Sequence, residues 1–142
     1  MIRPRTILVA DDDRLTREII GAVLLKAGHH VLFAEDGQSA LQIATMQQPD
    51  LVLIDGLMPK MHGFLACKAI KELPVAPKVI LLTAVYTKPS YKCEAKGDFN
   101  ADDLIAKPCG PDKLLACLDK HLADVPEREY AQIEERVVDQ VA

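Results

Sequence analysis

Acidic, hydroxyl and basic residues fall where apolar runs stop. Asp11, Asp12 and Asp13 follow Thr6–Ala10, and Asp55 follows Leu51–Ile54. Thr83 follows Val79–Leu82, and Lys107, with Pro108 behind it, follows Leu104–Ala106. In an open α/β sheet the active crevice lies beyond the carboxyl ends of the strands. If these runs are such strands, Asp11, Asp12 and Asp55 converge there with the Thr83 hydroxyl and the Lys107 ammonium. Carboxylates held close repel and need a compensating cation or shifted pKa values. Oxygen ligands of this kind suit Mg²⁺, which takes one or two carboxylates together with a phosphate. A carboxylate oxygen is also a nucleophile toward phosphorus. The metal and Lys107 would then neutralise the transferring phosphoryl oxygens, and Thr83 would donate a hydrogen bond to one of them. Such a set can accept a phosphoryl group.

Each residue alone has a commoner use. An Asp after a strand usually caps a helix or makes a turn, and Asp13 is expected to cap the helix that begins near Arg14. Lys-Pro after a strand is usually a surface turn, and Thr83 alone would be a strand-end residue. The signal lies in four strand ends agreeing at once.

The elements that must position these groups are legible as patterns. Five apolar runs, the four above and Val31–Ala34, alternate with helical stretches. The first four runs along the chain are continuous rather than alternating, as in parallel strands covered on both faces. Residues 14–27 place Leu15, Ile19, Ala22, Val23 and Ala27 on one face, with Gly28 as a stop. Residues 38–47 do so with Ala40, Leu41, Ala44 and Thr45. Gly63–Leu73 carries Phe64, Cys67 and Ile70, and 111–123 carries Leu114, Leu115, Leu118 and Leu122 with Pro111 in its first turn. The stretch 85–100, interrupted by Pro89, predicts a short or irregular helix. The alternation predicts a doubly wound five-stranded parallel sheet with helices on both faces. This α/β unit is expected over 1–124, with a helical tail over 125–142. In the tail, Tyr130, Ile133, Val137 and Val141 form the apolar side of an amphipathic helix. Such a helix either packs on its own domain or frays, or it pairs with another subunit in a homodimer.

Composition narrows the function. With 142 residues there is room for one domain, and 49% hydrophobic residues suffice for a buried core. Aromatics are only 4%, so that core must be aliphatic. A net charge of −4 and a pI near 5.5 do not attract a phosphate backbone, so no nucleic acid is expected as partner. No apolar run approaches the roughly 20 residues that span a bilayer, and Asp11-Asp12-Asp13 interrupts the first run before a signal-peptide core can form. A cytoplasmic protein without membrane contact is the expectation. Cys67, Cys93, Cys109 and Cys117 form no Cys-x-x-Cys pair, so they read as reduced, small apolar residues and not as a zinc site.

The segments ILVADDD at 7–13, DLVLIDGLMPKMHG at 50–63, VILLTA at 79–84 and ADDLIAKP at 101–108 resemble the chemotaxis-type receiver domain of response regulators in two-component signalling. The Asp-x-x-Met-Pro-x-Met-x-Gly pattern at 55–63 is the most specific of them, and the resemblance covers residues 5 to about 123. It implies a flavodoxin-like receiver fold. It also implies that Asp55 takes a phosphoryl group from a histidine kinase or phosphotransfer protein and passes the signal to a downstream protein partner. Asp11 and Asp12 match the acidic pair that holds Mg²⁺ with Asp55, and the backbone carbonyl of Leu57 would be a further ligand. Thr83 matches the hydroxyl that moves onto the phosphoryl group, and Lys107 the lysine that pairs with it. The Lys107–Pro108 bond would be cis.

The sequence departs from the family at named places. Leu104 stands where an aromatic switch residue is usual, three residues before the lysine, and Tyr86 is a candidate for part of that role. His62 replaces a common Asp or Asn, and reads as a solvent-facing turn residue or a pH-sensitive contact. Cys109 replaces a common aromatic and reads as packing. Val85–Asn100 departs most: Tyr86, Tyr91, Lys88, Lys92 and Lys96 make it either a solvated surface or a specialised partner surface. Leu57 and Val85 are apolar where the family flanks the hydrolytic water, which predicts slow self-dephosphorylation.

Three functions compete. A signalling module is the first: a phosphoacceptor that assists its own phosphorylation and dephosphorylation without being an enzyme. The tail is too short for a helix-turn-helix module, so no output domain is expected in this chain. An aspartate-based phosphohydrolase would need Thr at position 15, where Leu15 stands, and a general acid two residues after Asp55. A receiver-fold scaffold with vestigial phosphorylation is the third, favoured by Leu104 and opposed by the intact acidic set. Nucleotide binding lacks a glycine-rich phosphate loop.

Overall fold

The computed structural model describes residues 4–58, 60–83, 97 and 99–126. In chain order these form β1 (Thr6–Ala10), α1 (Arg14–Lys26), β2 (His30–Ala34), α2 (Gly37–Gln47), β3 (Leu51–Asp55), α3 (Gly63–Lys71), β4 (Lys78–Thr83), β5 (Asp103–Ala106) and α4 (Pro111–Leu122). The five strands make one parallel sheet in the order β2-β1-β3-β4-β5. The chain thus winds one way from β1 to β2 and the other way from β3 onward. The reversal places β1 beside β3, the point where such sheets open a crevice.

The continuous apolar runs are explained by two cores. Successive strand residues point to opposite faces. On one side Leu8, Ala10, Leu32, Val52, Ile54, Val79, Leu81 and Leu104 pack with Ala40 and Ala44 of α2 and Ala66, Cys67 and Ile70 of α3. On the other, Ile7, Val9, Leu51, Leu53, Ile80, Leu82 and Ile105 pack with Leu24 of α1 and Leu114, Leu118 and Leu122 of α4. Between their ends the inner strands are therefore covered on both faces, and polar residues stand only at those ends.

Local chemistry fixes the ends. Asp13 caps α1, its carboxylate accepting from Thr16 N at 3.2 Å. Asp36 caps α2 by accepting from Ser39 N at 2.7 Å. Pro111 stands in the first turn of α4. At the other end of α4 the Arg5 guanidinium donates to the carbonyls of Leu122 (3.4 Å) and Pro126 (2.9 Å), a cation on a helix C-terminus.

One predicted face is mostly wrong, with only Val23 of its residues packed inward. Leu15 and Ile19 are 62% and 57% exposed, and Ala22 and Ala27 are also outside. The buried stripe of α1 runs through Ile20, Val23 and Leu24, beside Gly21. This helix carries two apolar stripes, and periodicity alone cannot choose between them. Close packing chooses: a Cβ on Gly21 would stand 2.6 Å from the Phe33 ring of β2. Thr45 of α2, also placed on the inner face, is exposed and returns its hydroxyl to the Leu41 carbonyl at 2.7 Å. The strands each begin or end within a residue of their apolar runs. The expectations for residues 84–96 and for the tail beyond Pro126 lie outside the described residues. Among the described residues no helix is long and apolar enough to cross a membrane.

Candidate functional site

Asp11 directly follows β1 and is 2% exposed. Its backbone N–H donates to Ala34 O at 3.1 Å, and its own carbonyl accepts from Arg17 Nη1 at 2.6 Å. The Oδ1 atom accepts from Asp13 N at 2.9 Å, which turns the carboxylate toward β3 and β5. Asp12 is exposed beside it. Asp55 is the last residue of β3 and half-buried, with Oδ1 accepting from Leu57 N at 3.2 Å. Carboxylate oxygens of Asp11, Asp12 and Asp55 all lie within 4.8 Å of one another.

Lys107 closes the cluster. It follows β5, and its backbone N–H donates to Thr83 O at 3.0 Å. Its Nζ lies 2.5 Å from Asp11 Oδ2 and 3.5 Å from Asp55 Oδ2. Thr83 ends β4 and is fully buried. The predicted residues are thus brought together from four strand ends, as the spacing required. The Lys107–Pro108 peptide is cis.

The electrostatics carry an excess of negative charge. Burial pushes the Asp55 carboxyl above its ordinary value, and Asp11 adds to this, against the opposing pull of Leu57 N–H and Lys107. Burial works against the Lys107 ammonium, but its hydrogen bond and charge contact with Asp11, and then Asp55, outweigh it and hold its pKa above the ordinary value. Three carboxylates against one ammonium leave room for a cation, and all-oxygen donors fit a hard one such as Mg²⁺. Asp13 stands apart: its hydrogen bonds from Thr16 hold its carboxyl below the usual range, and it serves the helix.

Glycines shape the site in a way the sequence pattern does not explain by itself. A Cβ on Gly63 would come within 1.7 Å of the Asp55 carbonyl oxygen, and Gly63 N donates to Gly56 O at 3.0 Å. A Cβ on Gly37 would meet the Met61 carbonyl at 2.0 Å. The loop after Asp55 is therefore pressed onto the strand end and onto α2. That is the physical content of the glycine at the end of the 55–63 pattern. Met58, 6% exposed, anchors the same loop in the core. Arg17, which holds the Asp11 carbonyl, left no signal in the sequence.

The departures also have places. Leu104 is buried in the core on the α2–α3 side. His62 is exposed at the N-cap position of α3 and makes no side-chain cap, a solvated turn residue. Cys109 is half-buried against the α1–α4 core. A cleft of about 400 Å³ runs beside Lys107, lined by Thr16, Ile19, Ile20, Pro108, Cys109 and Leu114 among others.

A doubly wound sheet with three Asp and one Lys at its switch point defines a class of protein, and comparisons with known proteins agree. The response regulator receiver domain family matches residues 7–119. Response regulator MprA of Mycolicibacterium vanbaalenii is 35% identical over 114 residues, 80% of this chain and 48% of that protein. The phosphate regulon transcriptional regulatory protein PhoB of Pseudomonas aeruginosa is 37% identical over 117 residues, 80% of this chain and 50% of that one. Among solved structures, the receiver domain of the Francisella response regulator 1452 aligns with a TM-score of 0.79 at 26% identity, covering 86% of this chain and 99% of that one. Chemotaxis protein CheY4 of Vibrio cholerae aligns at 0.78 and 30%, covering 84% and 100%. This chain belongs to the response regulator receiver domain family, the module of two-component signalling. It spans about half the length of the curated relatives it matches.

Proposed function

We infer that this domain accepts a phosphoryl group on Asp55 from a phosphohistidine of a kinase or phosphotransfer protein. The observation that carries this is the gathering of Asp11, Asp12 and Asp55 oxygens within 4.8 Å around a lysine that reaches both Asp11 and Asp55. An Asp55 oxygen forms the new O–P bond as the donor's P–N bond breaks. Lys107 Nζ, already 3.5 Å from Asp55, neutralises the phosphoryl oxygens. Thr83, fully buried at the end of β4, would donate its hydroxyl to one of them. Asp11, Asp12, Asp55 and the Leu57 carbonyl would hold Mg²⁺. When bound, it offsets the carboxylate charge and that of the incoming phosphoryl group. The added charge of about −1.5 to −2 is the signal. We place the receiver unit at 1–124, and the output as a contact with a downstream protein.

The mostly apolar cleft beside Lys107, with the exposed Ile19 in its lining, supports docking of a protein donor at this end of the sheet. The test is chemical. An aspartyl phosphate is an acyl phosphate, which hydroxylamine converts to a hydroxamate. Phosphorylation followed by hydroxylamine and peptide mass analysis should place the hydroxamate on Asp55. A hydroxamate on another carboxylate, or a phosphoryl group inert to hydroxylamine, contradicts the assignment. The scaffold reading would be left if no phosphoryl group were taken up.

A further inference from the structure

A second set of ligand-type side chains stands away from the strand-end site. Asp103 opens β5, while Cys117 and His121 are four residues apart on α4 and share one helix face. His121 Nε2 lies 2.9 Å from Asp103 Oδ2, and Cys117 Sγ lies 3.6 Å from the same oxygen. One ligand atom from each of the three lies within 4.8 Å of the others. We propose that Asp103, Cys117 and His121 form a transition-metal site that takes Zn²⁺, with a fourth position open to water.

The donor set decides the class of metal. A thiolate, an imidazole and a carboxylate together suit Zn²⁺, whereas Mg²⁺ and Ca²⁺ avoid sulfur. The distances are close to what a tetrahedral ion needs. Bonds of roughly 2.3 Å to sulfur and 2.1 Å to oxygen put those two atoms about 3.6 Å apart, the separation found here. Nitrogen and oxygen ligands would stand about 3.4 Å apart, so the His121–Asp103 pair must open from 2.9 Å on binding. The carboxylate is already oriented, because Asp103 Oδ1 accepts from Leu104 N at 2.9 Å. Hydrogen bonds of this kind behind a ligand fix its direction. Asp103 and Cys117 also line a cleft of about 330 Å³, which gives an ion and its water a way in. Lys113 and Lys120 border that cleft and oppose a cation, but both are solvated and screened.

Binding needs no redox step. The Cys117 thiol gives its proton to solvent and His121 binds as the neutral imidazole through Nε2. The missing Cys-x-x-Cys pair argued against zinc, but a Cys-x-x-x-His pair on α4 and a distant Asp supply the ligands instead. Occupancy would tie α4 to the strand that carries Leu104 and leads into Lys107.

The probe is Co²⁺, added to the reduced, metal-free full chain in excess Mg²⁺, so that the all-oxygen site is already filled. The expected result is a thiolate-to-cobalt charge-transfer absorption that saturates at one equivalent and is displaced by Zn²⁺. It should vanish in Cys117→Ser, persist in Cys109→Ser, and require roughly tenfold or more Co²⁺ in His121→Gln. No such absorption in the unaltered chain would overturn the site, as would absorption that survives Cys117→Ser. Should Cys117→Ser fail to fold, His121→Gln decides: weakened binding supports the site and unchanged binding overturns it.

Discussion

Asp55 and the few residues around it combine two demands that conflict in water. A carboxylate that is to act as the proposed nucleophile must be ionised, yet burial and Asp11 both favour the protonated form of Asp55. Lys107 answers part of this, and a hard cation would answer the rest. The site is also mechanically tight. In Gly63→Ala the new Cβ would need the space of the Asp55 carbonyl oxygen, so the backbone must move. We expect a loss of about 1–3 kcal/mol, as for overpacking elsewhere, seen as a lower urea midpoint, together with slower phosphorylation. An unchanged midpoint would mean the loop yields freely. Leu57, half-buried two residues after Asp55, offers no group to orient water. The phosphorylated form should therefore be long-lived. Leu57→Glu should shorten its half-life by roughly tenfold or more, the effect of about 1.4 kcal/mol; an equal or longer half-life would sink this account. Asp11, Asp12, Asp55, Thr83 and Lys107 were legible in the sequence because each closes an apolar run. Gly63 was legible only as part of a pattern, since a close approach of two backbones leaves no periodic trace. Arg17 was not legible, because its bond to Asp11 O depends on how α1 sits on the sheet.

At the scale of elements, α1 shows where periodicity fails. Its two apolar stripes are equivalent on paper, and the Gly21–Phe33 contact turns Ile20, Val23 and Leu24 inward. Leu15 and Ile19 are then left outside, and Ile19 lines the cleft that reaches Lys107. Solvated apolar residues next to a reactive site have a use if a protein donor docks on them. Ile19→Glu should slow transfer from a phosphohistidine protein at least roughly tenfold, a cost of about 1.4 kcal/mol, and leave phosphorylation by a small-molecule donor unchanged. Equal loss with both donors would place the defect in the site and not in docking. The strands, by contrast, were legible to within a residue, because covering on both faces of the inner three demands apolar residues along them. α4 was legible as well, its Leu114, Leu118 and Leu122 being four apart and its Pro111 in the first turn.

Across the whole molecule, two aliphatic cores share one sheet, and buried polar groups link distant parts of the chain. Asp50 Oδ2 accepts from Thr6 N at 2.8 Å, joining the starts of β1 and β3. His29 Nδ1 accepts from Arg5 N at 3.1 Å, and Arg5 in turn holds the end of α4. Burial lowers the His29 pKa from its ordinary 6.5, with Arg5 and His30 adding to this and Asp119 opposing. Folded His29 therefore binds fewer protons than unfolded His29 as the pH falls below about 6.5. Stability rises with pH wherever the unfolded chain binds more protons, so this contribution is present near neutrality and is lost on acidification. His29→Asn keeps an acceptor for Arg5 N and removes the titration. Urea midpoints at pH 7.5 and about 5.5 should differ less in His29→Asn than in the unaltered chain, and equal differences would refute the linkage. The doubly wound parallel sheet was legible from the alternation of runs, whereas the strand order that sets its switch point was not. The partners of Arg5 and His29 were not, because they join residues more than a hundred positions apart or lie at element ends without a pattern.

Intact mass tests most directly whether Asp55 is a metal-dependent phosphoryl acceptor. The full chain and Asp55→Asn would be incubated with acetyl phosphate, each with Mg²⁺ and with the metal chelated. The expected result is a gain of one phosphoryl group in the unaltered chain with Mg²⁺, and none in the other three samples. A gain in Asp55→Asn, a gain without the metal, or no gain in a folded chain with Mg²⁺ would contradict it.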